Sequence, residues 1–199
     1  ASRRAIQPDP NFALAYAHLG RLLRRQGKTN ESASAYRDAV RLSVDVPTMI
    51  LVADVMQSQQ RYEESEQLLR RALAADPKNT TAMFLLGRAL TTAGKFDEAE
   101  KLLKKSVQVS PTNFVAYALL GSLYARRGSY DQAERILMSA TRVVSSNERK
   151  RLAQEFEFVG DGLMRVGKRA DAARLYRQAL SLDGGKNQLT AKLNQAEKS

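Results

Sequence analysis

Residues 80–113 and 114–147 are two versions of one 34-residue segment. The first reads TTAMFLLGRALTTAGKFDEAEKLLKKSVQVSPTN and the second FVAYALLGSLYARRGSYDQAERILMSATRVVSSN. Gly87 recurs as Gly121, Gly94 as Gly128, Phe96 as Tyr130, Ala99 as Ala133 and Leu103 as Leu137. A period of this length denotes one supersecondary unit that cannot bury its apolar face alone and must stack on its neighbours. It points to a stacked array, an architecture that offers surfaces to partners more readily than an enclosed catalytic pocket.

The period extends in both directions when the first glycine is taken as position 8. Residues 13–45 keep Gly20, Gly27, Tyr36 and Ala39 in register. Residues 46–79 keep Tyr62, Leu69, Ala72, Asp76 and Pro77, with Ala53 and Gln60 in place of the two glycines. Residues 148–186 carry about five extra residues at their start, then regain register at Gly160, Gly167, Ala172, Tyr176, Ala179 and Asp183. The expected organisation is therefore five units, at 13–45, 46–79, 80–113, 114–147 and 148–186.

Each unit has the local physics of two helices. In the third, Met83, Leu86, Leu90 and Ala93 recur at steps of three and four, as one helical face requires. Gly94 then supplies a residue that tolerates the positive φ of a helix C-terminus. Asp97, Glu98 and Glu100 fill the first turn of the next helix, where the macrodipole favours acids, and Pro111 ends it. Pro47 suits the first turn of the helix it begins. Gly or Ala at position 8, with Ala or Ser at positions 20 and 27, allows close helix approach. Larger residues at 4, 7, 11, 17 and 24 fill the space around them.

Gly or Ala at 8, Tyr or Phe at 17, small residues at 20 and 27, Tyr or Leu at 24 and Pro at 32 resemble the tetratricopeptide repeat. The resemblance covers residues 13–186. It implies an all-α, right-handed superhelical solenoid of stacked helix–turn–helix repeats. At the start, Ala5, Asp9 and Pro10 match positions 27, 31 and 32 of an earlier repeat, so residues 1–12 are expected to be the tail of a preceding, truncated one. At the other end, NQLTAKLNQAEKS places Leu189, Leu193 and Ala196 on one face and Lys192, Gln195 and Lys198 elsewhere. Residues 187–199 are expected to form a solvating cap helix.

Composition narrows the chemistry. The chain has no Cys, which excludes disulfides and thiolate catalysis, and its single His excludes a multi-His metal site. No apolar run approaches the roughly 18 residues of a membrane span. The opening residues lack the apolar core of a signal peptide. The compartment stays open: a cytoplasmic protein is favoured weakly, with a processed exported protein as the alternative. Net charge is +11 and unevenly spread, +4 in residues 1–45, −1 in 46–79 and +4 in 148–199.

Three apparent chemical motifs dissolve on inspection. Gly162 to Lys168 has the spacing of a phosphate-binding loop, but Arg169 stands where Ser or Thr is needed and no strand precedes it. His18 has no second ligand of its kind. Asn30-Glu31-Ser32 and Asn79-Thr80-Thr81 match a glycosylation sequon, but their place between helices suggests capping. No catalytic, cofactor or metal residue is assigned, and the chain is read as a non-enzyme.

The resemblance implies that certain first-helix positions line a concave, partner-binding face. In the first repeat these include Arg21, Arg24 and Arg25; in the second, Ile50 and Asp54; in the third, Phe84 and Arg88. The fourth contributes Val115, Ala118, Ser122 and Arg126, and the fifth Glu157 and Asp161. Ile50 and Phe84 are the leading contact candidates, and arginine forks suit acidic groups on a partner. The Lys and Asn set by which chaperone-binding members of the family hold a carboxylate is not reproduced.

The function expected is a protein–protein interaction scaffold that binds a peptide or partner segment. One alternative is the docking or regulatory segment of a larger enzyme of kinase or glycosyltransferase type. A nucleic-acid-binding helical repeat is disfavoured, because basic doublets such as Arg70-Arg71 and Lys104-Lys105 occupy different repeat positions. The partner's identity and the oligomeric state are not legible.

Overall fold

The computed structural model describes residues 10–183 and 187–198, and their regular structure is helical throughout. Its helices are α1 (Pro10–Arg25), α2 (Thr29–Leu42), α3 (Val46–Ser58), α4 (Tyr62–Ala75), α5 (Thr80–Thr92) and α6 (Phe96–Val109). They continue with α7 (Phe114–Arg126), α8 (Tyr130–Ala140), α9 (Arg149–Arg165), α10 (Arg169–Asp183) and α11 (Asn187–Glu197). The fold is all-α, as the repeat pattern requires. Ala5 and Asp9, which suggested a preceding repeat, lie outside the described residues, whereas Pro10 begins α1.

The chain divides into two compact units at the Gly94 turn, inside the third sequence repeat. In the first, α1 packs on α2 and α3, α3 on α4 and α5, and α4 on α5. In the second, α6 packs on α7, α7 on α8 and α9, α8 on α9, α9 on α10, and α10 on α11. Within the units, α1, α3 and α7 thus each meet their own partner and the next first helix. That is the packing a repeat needs to bury two faces.

The turn within a repeat is a Schellman motif. Lys28, Ser129 and Lys168 each donate a backbone N–H to a carbonyl five residues back, on Leu23, Tyr124 and Leu163, at 2.8–3.0 Å. Gly27, Gly128 and Gly167 sit at the left-handed position, with φ of 75°, 81° and 78°. Gln60 occupies it in the second repeat with φ 62°, and Arg61 N–H still reaches the Met56 carbonyl at 2.9 Å. A side chain is strained in this conformation.

This tight turn starts the second helix early. Asn30, expected to cap, is already inside α2, and the N-cap residue Lys28 makes no side-chain capping bond. First helices differ. Asp45, Asn79 and Asn113 cap α3, α5 and α7, accepting from Thr48, Ala82 and Val115 backbone N–H at 2.9–3.0 Å.

The small residue at position 8 meets the side chain at position 24 within one repeat. A Cβ on Gly20 would lie 3.0 Å from the Tyr36 ring, one on Gly121 2.5 Å from Leu137 Cδ2, and one on Gly160 2.6 Å from Tyr176 Cε1. Tyr36 and Leu137 are fully buried, and Tyr176 is nearly so. Ser32 at position 20 tightens the same crossing, its hydroxyl donating to the Gly20 carbonyl at 2.8 Å. Arg71 on α4 adds an inter-repeat tie, donating to the Ser43 carbonyl at 2.9 Å.

Gly162 has a role the repeat pattern does not show. It is buried inside α9, and a Cβ there would strike the Tyr130 ring at the start of α8. The glycine spacing that mimics a phosphate loop is thus a helix interior followed by a Schellman turn.

Two stability changes follow. Gln60→Gly should raise unfolding free energy by up to about 1 kcal/mol by relieving the left-handed side chain. Gly162→Ala should lower it by about 1–3 kcal/mol, because Tyr130 must shift. Urea denaturation of both variants against the wild type measures each effect.

Candidate functional site

In the first unit, α3 and α5 present their first-helix faces around a cleft of 320 Å³ lined by Asp54, Gln57, Ser58, Tyr62, Arg88 and Thr92. Arg88 is the centre of its polar wall. It donates from Nη2 to Asp54 Oδ1 at 2.9 Å and from Nε to Gln57 Oε1 at 2.7 Å. Gln57, 5% exposed, passes the contact inward by donating to Ser65 Oγ at 3.1 Å and the Leu85 carbonyl at 2.9 Å.

The guanidinium is therefore a structural donor as well as a surface charge. Replacing Arg88 would leave the buried Gln57 carbonyl without a donor, at about 1–3 kcal/mol. Ile50 and Phe84 are half-buried on α3 and α5. Their apolar surface is partly open to solvent.

Arg21, Arg24 and Arg25 lie on α1, the first half-buried and the other two exposed. Arg24 reaches the Gln59 carbonyl at the end of α3 through Nη1. Arg61, in the turn after α3, ion-pairs with Glu64 and stacks on the Tyr36 ring, 4.5 Å from its centroid. Burial pushes the Tyr36 hydroxyl up, although Arg61, Arg24 and Arg21 pull it down.

In the second unit, Val115 and Ser122 are half-buried on α7 and Arg126 is exposed, with Cζ 6.0 Å from the Phe158 ring centroid. Ala118, expected to line the groove, is fully buried. It belongs to the core because α7 is covered by α6, α8 and α9. A methyl group there fits the packed interface and offers nothing to a partner.

Glu157 and Asp161 do not stand free. Lys192 of α11 donates to Glu157 Oε1 at 2.8 Å and to Asp161 Oδ1 and Oδ2 at 2.8 and 2.7 Å. Tyr176 donates to Asp161 Oδ1 at 2.8 Å, and burial followed by this bond raises its hydroxyl strongly. The cap helix buries Leu189 and Ala196 as its periodicity suggests. Lys192, expected on the solvated side, instead turns inward, because two acids on α9 outweigh its hydration. Asp161, Tyr176 and Lys192 border a cleft of 510 Å³ with Phe158, Met164, Arg165 and Gln195.

Glu155 is a further candidate that the sequence does not single out. Half-buried on α9, its carboxyl is pushed up to about 7 by burial, against the opposing charges of Arg151 and Arg126. The signal was weak, since one acid among many on a helix reveals no burial. Tyr36 and Arg61 were equally silent. The available hint was Tyr at position 24 opposite a charged position 9, found only in the first and fifth repeats.

Among the described residues no group of three or more His, Asp or Glu side chains is placed to hold a metal, and no helix is long and apolar enough to cross a membrane.

Models described as tetratricopeptide repeat match residues 12–46, 57–107 and 91–149. No curated protein matches the sequence. Among solved structures, a thermophilic protein of this repeat class from Thermus thermophilus is 18% identical, with TM-score 0.61, over 92% of this chain and 98% of that one. MamA gives TM-score 0.63 at 17% identity, covering 94% and 97%. YrrB, described as having an unusual peptide-binding site, gives 0.62 at 19% identity, covering 96% of each. At these identities the likeness is one of fold.

The raised Glu155 carboxyl sets a pH dependence. Its folded value of about 7 exceeds the ordinary 4.5, so the native state holds the proton more tightly and loses stability as pH rises from 4.5 to 7. Glu155→Gln should be more stable than wild type at pH 8, on the order of 2 kcal/mol, and no different at pH 4. Chemical denaturation at both values checks the sign.

Proposed function

This chain belongs to the tetratricopeptide-repeat family, and we propose that it is a non-catalytic scaffold whose first-helix faces dock a peptide or partner segment. The observation that carries the reading is the first-unit face, where half-buried Ile50 and Phe84 stand on the two helices that wall the Asp54–Gln57–Arg88 cleft. Apolar groups left partly open beside a preorganised polar wall suit a ligand that buries side chains and bonds its backbone. The peptide-binding site in the description of YrrB supports the same class of use.

Within this reading Arg21, Arg24 and Arg25 favour acidic groups on the partner. On the second-unit face, Val115, Ser122 and Arg126 offer a mixed contact. Glu157 and Asp161 are bridged by Lys192, which offsets one of their two charges. Ala118 is withdrawn from the face by its burial.

The test is capture of partners with the chain as bait, followed by affinity measurement for each specific partner. Phe84→Ala and Arg24→Glu should each weaken binding tenfold or more, about 1.4 kcal/mol, while circular dichroism stays unchanged. Wild-type affinity in both variants would remove the first-unit face from consideration.

A further inference from the structure

The two tyrosines at position 24, Tyr36 and Tyr176, occupy equivalent places against Gly20 and Gly160 but have opposite surroundings. In the fifth repeat the hydroxyl finds a carboxylate at position 9. Tyr176 donates to Asp161, and that carboxylate also accepts from Lys192. Donor, acceptor and cation close on one another.

In the first repeat position 9 is Arg21. The Tyr36 hydroxyl is buried with no hydrogen-bond partner, and so are Arg21 Nε and Arg61 Nε. Arg24 acts electrostatically on the same hydroxyl, and Glu64, already paired with Arg61, is the one acid that does so. Three guanidiniums and one carboxylate surround a donor that lacks an acceptor. A buried polar group without a partner is costly, and three such donors with an excess of positive charge make a consistent set. What is missing is an anionic acceptor.

We propose that Tyr36, Arg21, Arg24 and Arg61 form a docking site for a carboxylate carried by a protein partner, which takes the place beside Tyr36 that Asp161 holds beside Tyr176. The inference deepens the scaffold reading and rests on it for the source of the carboxylate. A planar carboxylate has acceptor sites enough for the hydroxyl and two guanidinium N–H groups, and arginine presents those groups in a matching fork. Access requires an arginine to turn aside. Arg24 is exposed and its hydrogen bond is to the Gln59 carbonyl, so it is the arginine to which we assign this movement. The ring itself stays fixed between Gly20 and the Arg61 guanidinium.

The experiment uses the full chain labelled with ¹⁵N-arginine and the blocked peptide acetyl-Glu-Glu-Glu-amide, with its Gln counterpart and inorganic phosphate as separate arms. The triglutamate should shift the Nε–H signals of Arg21 and Arg61 saturably, and the Gln peptide should not. Tyr36→Phe keeps the ring and removes only an unpaired hydroxyl, so its melting temperature should equal or exceed that of wild type. Its affinity for triglutamate should fall about tenfold, the effect of one hydrogen bond to a charged group.

Unmoved Nε–H signals would overturn the proposal, as would shifts that Tyr36→Phe leaves intact. Tighter binding of phosphate than of triglutamate would reassign the site to another anion and overturn the carboxylate. Because the probe replaces the partner, loss of partner capture in Phe84→Ala with no triglutamate response would retain the groove and discard only this site.

Discussion

The first, fourth and fifth repeats hang on the contact between position 8 and position 24. Gly20 against Tyr36, Gly121 against Leu137 and Gly160 against Tyr176 bring the two helices so close that the larger side chain lies on bare backbone. No flexible side chain intervenes, so the crossing has little freedom to slide. That rigidity places position 9, one residue along the first helix, beside whatever position 24 presents. Where position 24 is Leu the neighbour is apolar. Where it is Tyr, a buried hydroxyl reaches the first helix, and the charge at position 9 decides its chemistry.

Net charge describes this surface poorly. The +11 of the chain suggests a broadly basic face, yet the structure pairs many of the cations internally. Arg88 is shared between Asp54 and Gln57, Lys192 between Glu157 and Asp161, and Arg174 holds Glu134 through two bonds of 2.8 Å. Arg21 and Arg61 differ, because each retains a buried Nε–H with no acceptor. An unsatisfied buried donor distinguishes a site more sharply than an exposed positive charge, which water satisfies at little cost.

Helix existence and pairing were legible because periodic apolar residues and glycine turns act locally. Gly27, Gly128 and Gly167 take the left-handed turns their positions imply, and Gln60 adopts the same conformation without being glycine. The cap at Asn79 was readable from its neighbours, whereas Asn30 was not, since the Schellman bond from Lys28 to Leu23 moves the helix start. The burial of Ala118 escaped because a first helix covered on three sides has a narrower open face than its register suggests. Lys192 and Glu155 escaped for a related reason. Their environments are made by helices distant in sequence, and a helical wheel carries no information about those.

By itself the sequence determined an all-α chain of paired helices, the positions of its turns, and the small residues that let those helices meet. Propensity, periodicity and φ preference are properties of short segments, so a single chain displays them. The tertiary structure alone decided which charges are neutralised, which carboxyl is lifted by burial, and which hydroxyl is left without an acceptor. Those outcomes depend on desolvation and on distances of a few ångströms between groups up to 40 residues apart, as between Glu134 and Arg174. Tyr36 and Tyr176 are the clearest case: the same residue at the same repeat position, one hydroxyl satisfied from within the fold and the other buried without an acceptor.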